Sequence, residues 1–183
     1  QIIRNEVKMT RSIKLNKQLR KAALKKGLSQ KQVAQSVHFA HTTTNGHFNG
    51  YPVPPESAIA YNELFNDSEL AFALGQELLG LIGLATGVKV KKEPLALSVL
   101  KEKEEREREK IEVENEIDYL MAIPDEELTE KQKQAILQYC SEYSDELLFE
   151  VSLICKQLEL IGMSFMDLMI LRTPYWKNKK WIE

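Results

Sequence analysis

Between Ile136 and Ile161, eight side chains recur at intervals of four, three, four, four, three, four and three residues: Ile136, Cys140, Tyr143, Leu147, Val151, Ile154, Leu158 and Ile161. A repeat averaging about 3.5 residues is helical, whereas a half-buried strand would alternate every second residue. Leu148 and Leu153 widen the apolar face. Thr129 followed by Gln132 is a capping-box pattern that opens the helix, and Gly162 can close it. A helix this long with so regular a stripe must cover that stripe with another helix, which draws the rest of the chain into an all-α fold.

The remaining segments also read as helices. Leu15, Leu19, Ala22 and Ala23 keep helical spacing up to a stop at Gly27, and Ser29 with Gln32 caps a second helix that buries Val33, Ala34 and Val37. A short third helix fits Thr42–Phe48, although three threonines, Asn45 and Gly46 are poor helix formers. Pro55 starts a fourth helix through Phe65, and Asn66 or Asp67 caps a fifth, roughly 68–82. Residues 83–93, GLATGVKVKKE, read as a flexible linker. A helix from Pro94 to Ala122 follows, carrying ten consecutive charged residues, Lys101–Lys110, expected as a solvated spacer with pairs such as Lys101–Glu105 and Glu102–Arg106. Ser164 caps a last short helix, Phe165–Leu171, which Pro174 is expected to stop before an aromatic and basic tail. With 8 Gly and 6 Pro in 183 residues, the composition argues against a turn-rich all-β fold.

Charge is distributed unevenly. Residues 1–66 carry ten Lys and Arg against three Asp and Glu, so the net −2 of the whole chain conceals +7 there and −9 beyond. Such asymmetry suggests a basic module that meets a polyanion, joined to an acidic module that does not. No apolar run approaches the ~18 residues of a membrane span, and no signal-peptide core is visible, so a cytoplasmic location is expected. Cys140 and Cys155 have neither metal-site nor redox-motif spacing. His38 and His41 lie three apart, but no carboxylate or Cys cluster joins them, so no metal is expected. Phosphate loops and hydrolase or metallopeptidase motifs are absent, so neither an enzyme nor a cofactor is expected.

The segment Ser29–Gly50, SQKQVAQSVHFAHTTTNGHFNG, narrows the reading. A Gln opens the first helix of a pair and Val33-Ala34 occupies its middle. A short turn follows, then a polar-fronted second helix ending in Phe48-Asn49-Gly50. This pattern resembles the helix-turn-helix of lambda-repressor/Cro-type (Xre-type) regulators, and residues 14–82 match that family's five-helix layout. The resemblance departs at the turn, where His38 stands in a left-handed position often held by Gly.

The resemblance implies base contacts from His41, Thr42, Thr43 and Asn45 on the third helix, with Thr44 and Phe48 turned inward against Val33, Val37 and Leu24. Asn45 suits adenine, Thr methyls the thymine methyl, and His41 guanine. Gln30, Lys31 and Asn49 are expected on phosphates, as are Lys8, Arg11, Lys14 and Lys17. The expected organisation is a five-helix lambda-repressor-like DNA-binding domain at 9–82, a linker at 83–93, and a helical oligomerisation domain at 94–183. The eight-residue stripe 136–161 would be the oligomer interface. Packing of that stripe on Pro94–Ala122 is the alternative, but that helix is interrupted by its charged block.

The implied function is a sequence-specific transcriptional regulator, a repressor of a phage, plasmid or integrative element. It would bind inverted repeats of double-stranded DNA as a homodimer or homotetramer, with an antirepressor protein as a possible partner. Two alternatives remain: a helix-turn-helix protein that binds and inhibits a protein target, and a plasmid partition or replication adaptor.

Overall fold

The computed structural model describes residues 13–183, and all regular secondary structure among them is helical. The chain divides into two compact units. One comprises residues up to Gly83 together with Ser164–Glu183, and the other Leu84–Met163.

The first unit contains α1 (Asn16–Lys25), α2 (Gln30–Ser36), α3 (His41–Phe48), α4 (Pro55–Phe65) and α5 (Ser68–Leu79). The helix also expected at 165–171 belongs to this unit and not to the one before it in sequence. Its core gathers Leu15, Leu19, Val33, Phe48, Val53, Tyr61, Phe65 and Leu70, all essentially inaccessible to solvent. Apolar burial of this kind supplies most of the stability of short helices. Ser29 caps α2 reciprocally with Gln32, and the Asp67 carboxylate accepts from the Leu70 N–H at the start of α5. An isolated antiparallel bridge between Ile13 and Val53 ties the segment before α1 to the segment after α3. Leu24 departs from expectation: it is 82% exposed, because Leu19, Ala22 and Ala23 already fill the buried side of α1.

The last helix of this unit, α9, runs Phe165–Asn178 and continues through Pro174, where a stop was expected. Proline removes one backbone donor, and here it does so where Ile170 and Leu171 are exposed, so the freed carbonyl can reach water. The start of α9 is fastened by polar groups. Ser164 Oγ donates to Asn66 Oδ1 at 2.8 Å, Asn66 Nδ2 donates to Asp167, and the Phe165 N–H donates to Ser68 Oγ. Phe165 meets Phe72 edge to face, with ring centroids 5.0 Å apart. Bonds from Ser164 and Asn66 hold the Asp167 carboxyl below its usual pKa.

The second unit is a pair of long helices, α6 (Pro94–Glu114) and α8 (Glu130–Leu160), with the short α7 (Ile117–Met121) and one turn of 3₁₀ helix between them. The helix expected from 94 to 122 is broken, because Glu116 adopts a left-handed conformation at φ 50°. Of residues 83–93, expected as a linker, those from Leu84 on lack helix but belong to this unit, and the Ala85 N–H donates to Ser152 Oγ at 2.8 Å. The charged block is not wholly solvated. Arg108 bonds Glu146 of α8 at 2.5 Å and lies over the Tyr143 ring, while Lys101 pairs with Glu105 as expected. The Glu146 carboxylate beside it raises the pKa of the Arg108 guanidinium further. Arg106 donates to the Glu102 carbonyl and not to its carboxylate.

Candidate nucleic-acid interface

The α2–α3 pair is joined by Val37-His38-Phe39-Ala40. His38 has φ 56°, so a side chain occupies the left-handed turn position. His tolerates that region better than a β-branched residue, and the turn is secured by the Phe39 N–H donating to the Ala34 carbonyl at 2.9 Å.

Helix α3 segregates its side chains sharply. His41, Thr42, Thr43 and Asn45 are exposed, whereas Thr44, Gly46, His47 and Phe48 are buried. By helical spacing, His41, Thr42, Asn45 and Asn49 share one strip, and Thr43 stands off to its side. Gly46 has a structural reason: a Cβ there would come within 2.9 Å of the Tyr51 ring, which lies against the helix. The helix begins at Ala40 without a side-chain cap.

The strip is positioned by a hydrogen-bonded chain reaching back to α1. Arg20 Nε donates to the Phe48 carbonyl at 2.8 Å and its Nη2 to Asn49 Oδ1 at 2.7 Å. Asn49 Nδ2 in turn donates to Asn45 Oδ1 at 3.0 Å. Among the described residues the Asn45 amide N–H groups meet no acceptor, and its oxygen keeps a second lone pair, so the amide can still pair bidentately. Asn49, expected as a phosphate contact, therefore also orients Asn45. Sequence reasoning passed over Arg20, since its role depends on a carbonyl 28 residues away.

Beneath the strip, His47 is 5% exposed, and its Nδ1 lies 2.9 Å from the Tyr61 hydroxyl. Burial lowers the His47 pKa and raises that of Tyr61, so both are neutral near pH 7. The Tyr61 ring sits among Phe39, His47, Phe48 and Phe65. The exposed strip thus rests on an aromatic floor.

The other expected contacts are less closely gathered. Lys14, Lys17 and Lys31 are exposed, and Gln30 is half-buried at the first position of α2. Lys8 and Arg11 lie outside the described residues. Lys21 and Lys25, on the same helix as Lys17, are ion-paired with Glu69 and Asp67 at 2.6 and 2.7 Å.

In the second unit α8 packs on α6, with Tyr139, Glu142, Glu146 and Phe149 half or fully buried, and Arg108 of α6 also reaches Tyr143 of the expected stripe. The stripe remains largely open: Cys140 is exposed, as are Tyr143 at 51%, Leu147 at 41%, Ile154 at 36% and Ile161 at 69%. Ile136 and Val151 are half-buried and Leu158 is buried within its own chain. Among the described residues, Glu104, Glu107 and Glu142 bring carboxylates together, but Lys103 bridges the first two. No helix there is long and apolar enough to cross a membrane.

The chain matches no protein-family model, no curated protein and no solved structure.

Proposed function

We propose that this chain is a sequence-specific DNA-binding transcriptional regulator. In this reading residues 14–82 form a lambda-repressor/Cro-like domain whose α3 enters the major groove, and the protein is a repressor of a phage, plasmid or integrative element. The observation that carries the reading is the segregation of α3: His41, Thr42, Thr43 and Asn45 all face solvent, over a rear face sealed by Phe48 and the His47–Tyr61 pair. A recognition helix needs this division, because its base-facing side chains must be free while its back is fixed. The Arg20–Asn49–Asn45 chain adds pre-organisation, which lowers the entropic cost of holding an amide against adenine.

The open stripe on α8 supports assembly. A single short helix reads few base pairs, so useful affinity comes from two domains on an inverted repeat. Heptad-spaced apolar residues on one helix are complementary to a second copy of themselves, most simply about a two-fold axis. In this reading Tyr143, Leu147, Ile154 and Ile161 meet their counterparts in a homodimer, or in a tetramer of such dimers.

The test is base readout. On a site selected from random duplexes, Asn45→Ala and Thr42→Ala should each cost about 1–3 kcal/mol while changing binding to random DNA little. Equal losses on both would refute the role of these side chains.

A further inference from the structure

The end of α9 holds a cluster that the reading above does not use. Arg172, Lys177, Lys179 and Lys180 are all exposed, and among the described residues none has a carboxylate within ion-pair distance. Lys21 and Lys25 of the same unit, by contrast, are neutralised by Glu69 and Asp67. The acid on α9 itself, Asp167, sits at the opposite end and is occupied by Ser164 and Asn66. Glu183, at the end of the segment, is exposed and bridges none of the four cations.

Aromatic rings are interleaved with these charges. The Arg172 guanidinium lies 4.3 Å from the Tyr175 ring centre and 5.9 Å from that of Trp176. Lys179 Nζ is 5.9 Å from the Tyr175 ring, and Trp181 meets Tyr175 edge to face at 5.8 Å. Such stacking restrains long cationic side chains that would otherwise be disordered. Arg172 and Lys179, held against these rings, together with the exposed Lys177 and Lys180 make a set of uncompensated cations that a polyanion would relieve. Because the other end of α9 is fastened to Asn66, Ser68 and Phe72, the cluster moves with the unit that presents α3.

We propose that Arg172, Lys177, Lys179 and Lys180, supported by Tyr175, Trp176 and Trp181, form a second DNA contact that holds the sugar–phosphate backbone of the duplex while α3 faces the bases. This inference rests on the DNA-binding reading, but it concerns charge and not sequence. A contact of this kind carries no base information and contributes to affinity through released counterions. The described part of this unit, with eleven Lys and Arg against seven Asp and Glu, has the sign for such a partner, and the Leu84–Met163 unit, with eleven against nineteen, has the opposite sign.

The experiment uses the full chain and a short random-sequence DNA duplex, followed by anisotropy of the labelled duplex over a salt series. Replacing all four cations by Gln should lower the slope of log K against log salt by about 0.9 for each phosphate no longer neutralised, while replacing the three lysines by Arg should preserve it. Both tryptophans of the chain, Trp176 and Trp181, lie in the cluster, so intrinsic fluorescence is a second readout. Duplex DNA should change the tryptophan emission of the wild type and of Asn45→Ala alike. An unchanged slope in the Gln variant, or DNA binding with unaltered emission, would overturn the proposal. Tryptophan changes seen only with anionic phosphatidylserine vesicles, and not with DNA, would overturn it in favour of a membrane surface. Failure of the base-readout reading is distinguishable: no sequence would then be selected from a random pool, yet the slope and emission effects would persist.

Discussion

Removing one oxygen from beneath α3 should weaken the first unit without changing its shape. Tyr61→Phe keeps the ring among Phe39, His47, Phe48 and Phe65 but leaves His47 Nδ1, now 2.9 Å from the hydroxyl, without that partner. His47 is 5% exposed, so water does not readily replace the missing bond. An unsatisfied buried polar atom costs about 1–3 kcal/mol. The described part of the unit, residues 13–83 and 164–183, falls in the size range where each kcal/mol shifts Tm by about 4–8 °C. Thermal melts followed by tryptophan fluorescence report on this unit, since both tryptophans lie in or just beyond α9. The same pair predicts a pH effect. Burial lowers the folded-state pKa of His47 below 6.5, so the unfolded chain binds the proton more readily. The stabilisation is therefore complete above pH 6.5 and is lost as pH falls from there through the folded pKa, at up to about 1.4 kcal/mol per pH unit. His47→Gln, which can still bond Tyr61 but does not titrate, should remove that part of the pH dependence. A Tyr61→Phe melt superimposable on wild type, or an unchanged pH profile in His47→Gln, would refute the reasoning.

Arg20→Ala should leave the unit folded but lose about 1 kcal/mol of stability, since only the bond to the Phe48 carbonyl is partly buried, and it should weaken binding to a selected duplex more than to a random one; an equal loss on both would assign Arg20 to phosphate alone. Leu147→Asp combined with Ile154→Asp should yield monomers that keep a folded first unit and lose most affinity for a two-half-site duplex, measured by analytical ultracentrifugation and anisotropy; a double variant that still self-associates would contradict the interface. Glu146→Gln removes the charge facing Arg108, and as both side chains are largely buried it should destabilise the second unit by about 1–3 kcal/mol in urea titration followed by circular dichroism.

Local chemistry made many helix boundaries readable. The capping boxes at Ser29 and Thr129 open α2 and α8, Pro55 and Pro94 stand at the first positions of α4 and α6, and Gly27 and Gly162 take the left-handed conformations that end helices, whereas α5, expected to run to about 82, stops at Leu79 before the left-handed Gly80. Segregation of α3 was legible for the same reason, because the i, i+4 pair Thr44 and Phe48 marks a buried side. Features that depend on distant partners were not. Nothing local at Asn115-Glu116 announces a break, and Arg20 is one cation among ten until the Phe48 carbonyl is placed beside it. The charged block Lys101–Lys110 resembles a solvated surface because a periodicity argument counts apolar residues, whereas Arg108 reaches α8 through Glu146 and Tyr143. Pro174 reads as a stop because proline lacks a donor and crowds the carbonyl four residues back, yet α9 continues through it where Ile170 and Leu171 are exposed.

Whether α3 reads bases in duplex DNA is tested most directly by iterative selection with the whole chain on a random duplex library. Selection should enrich an inverted repeat whose half-sites lie about one helical turn or a multiple apart, with the enriched bases losing their advantage when Asn45→Ala is used. A library that stays random after several rounds, although the protein binds it at low salt, would contradict the claim.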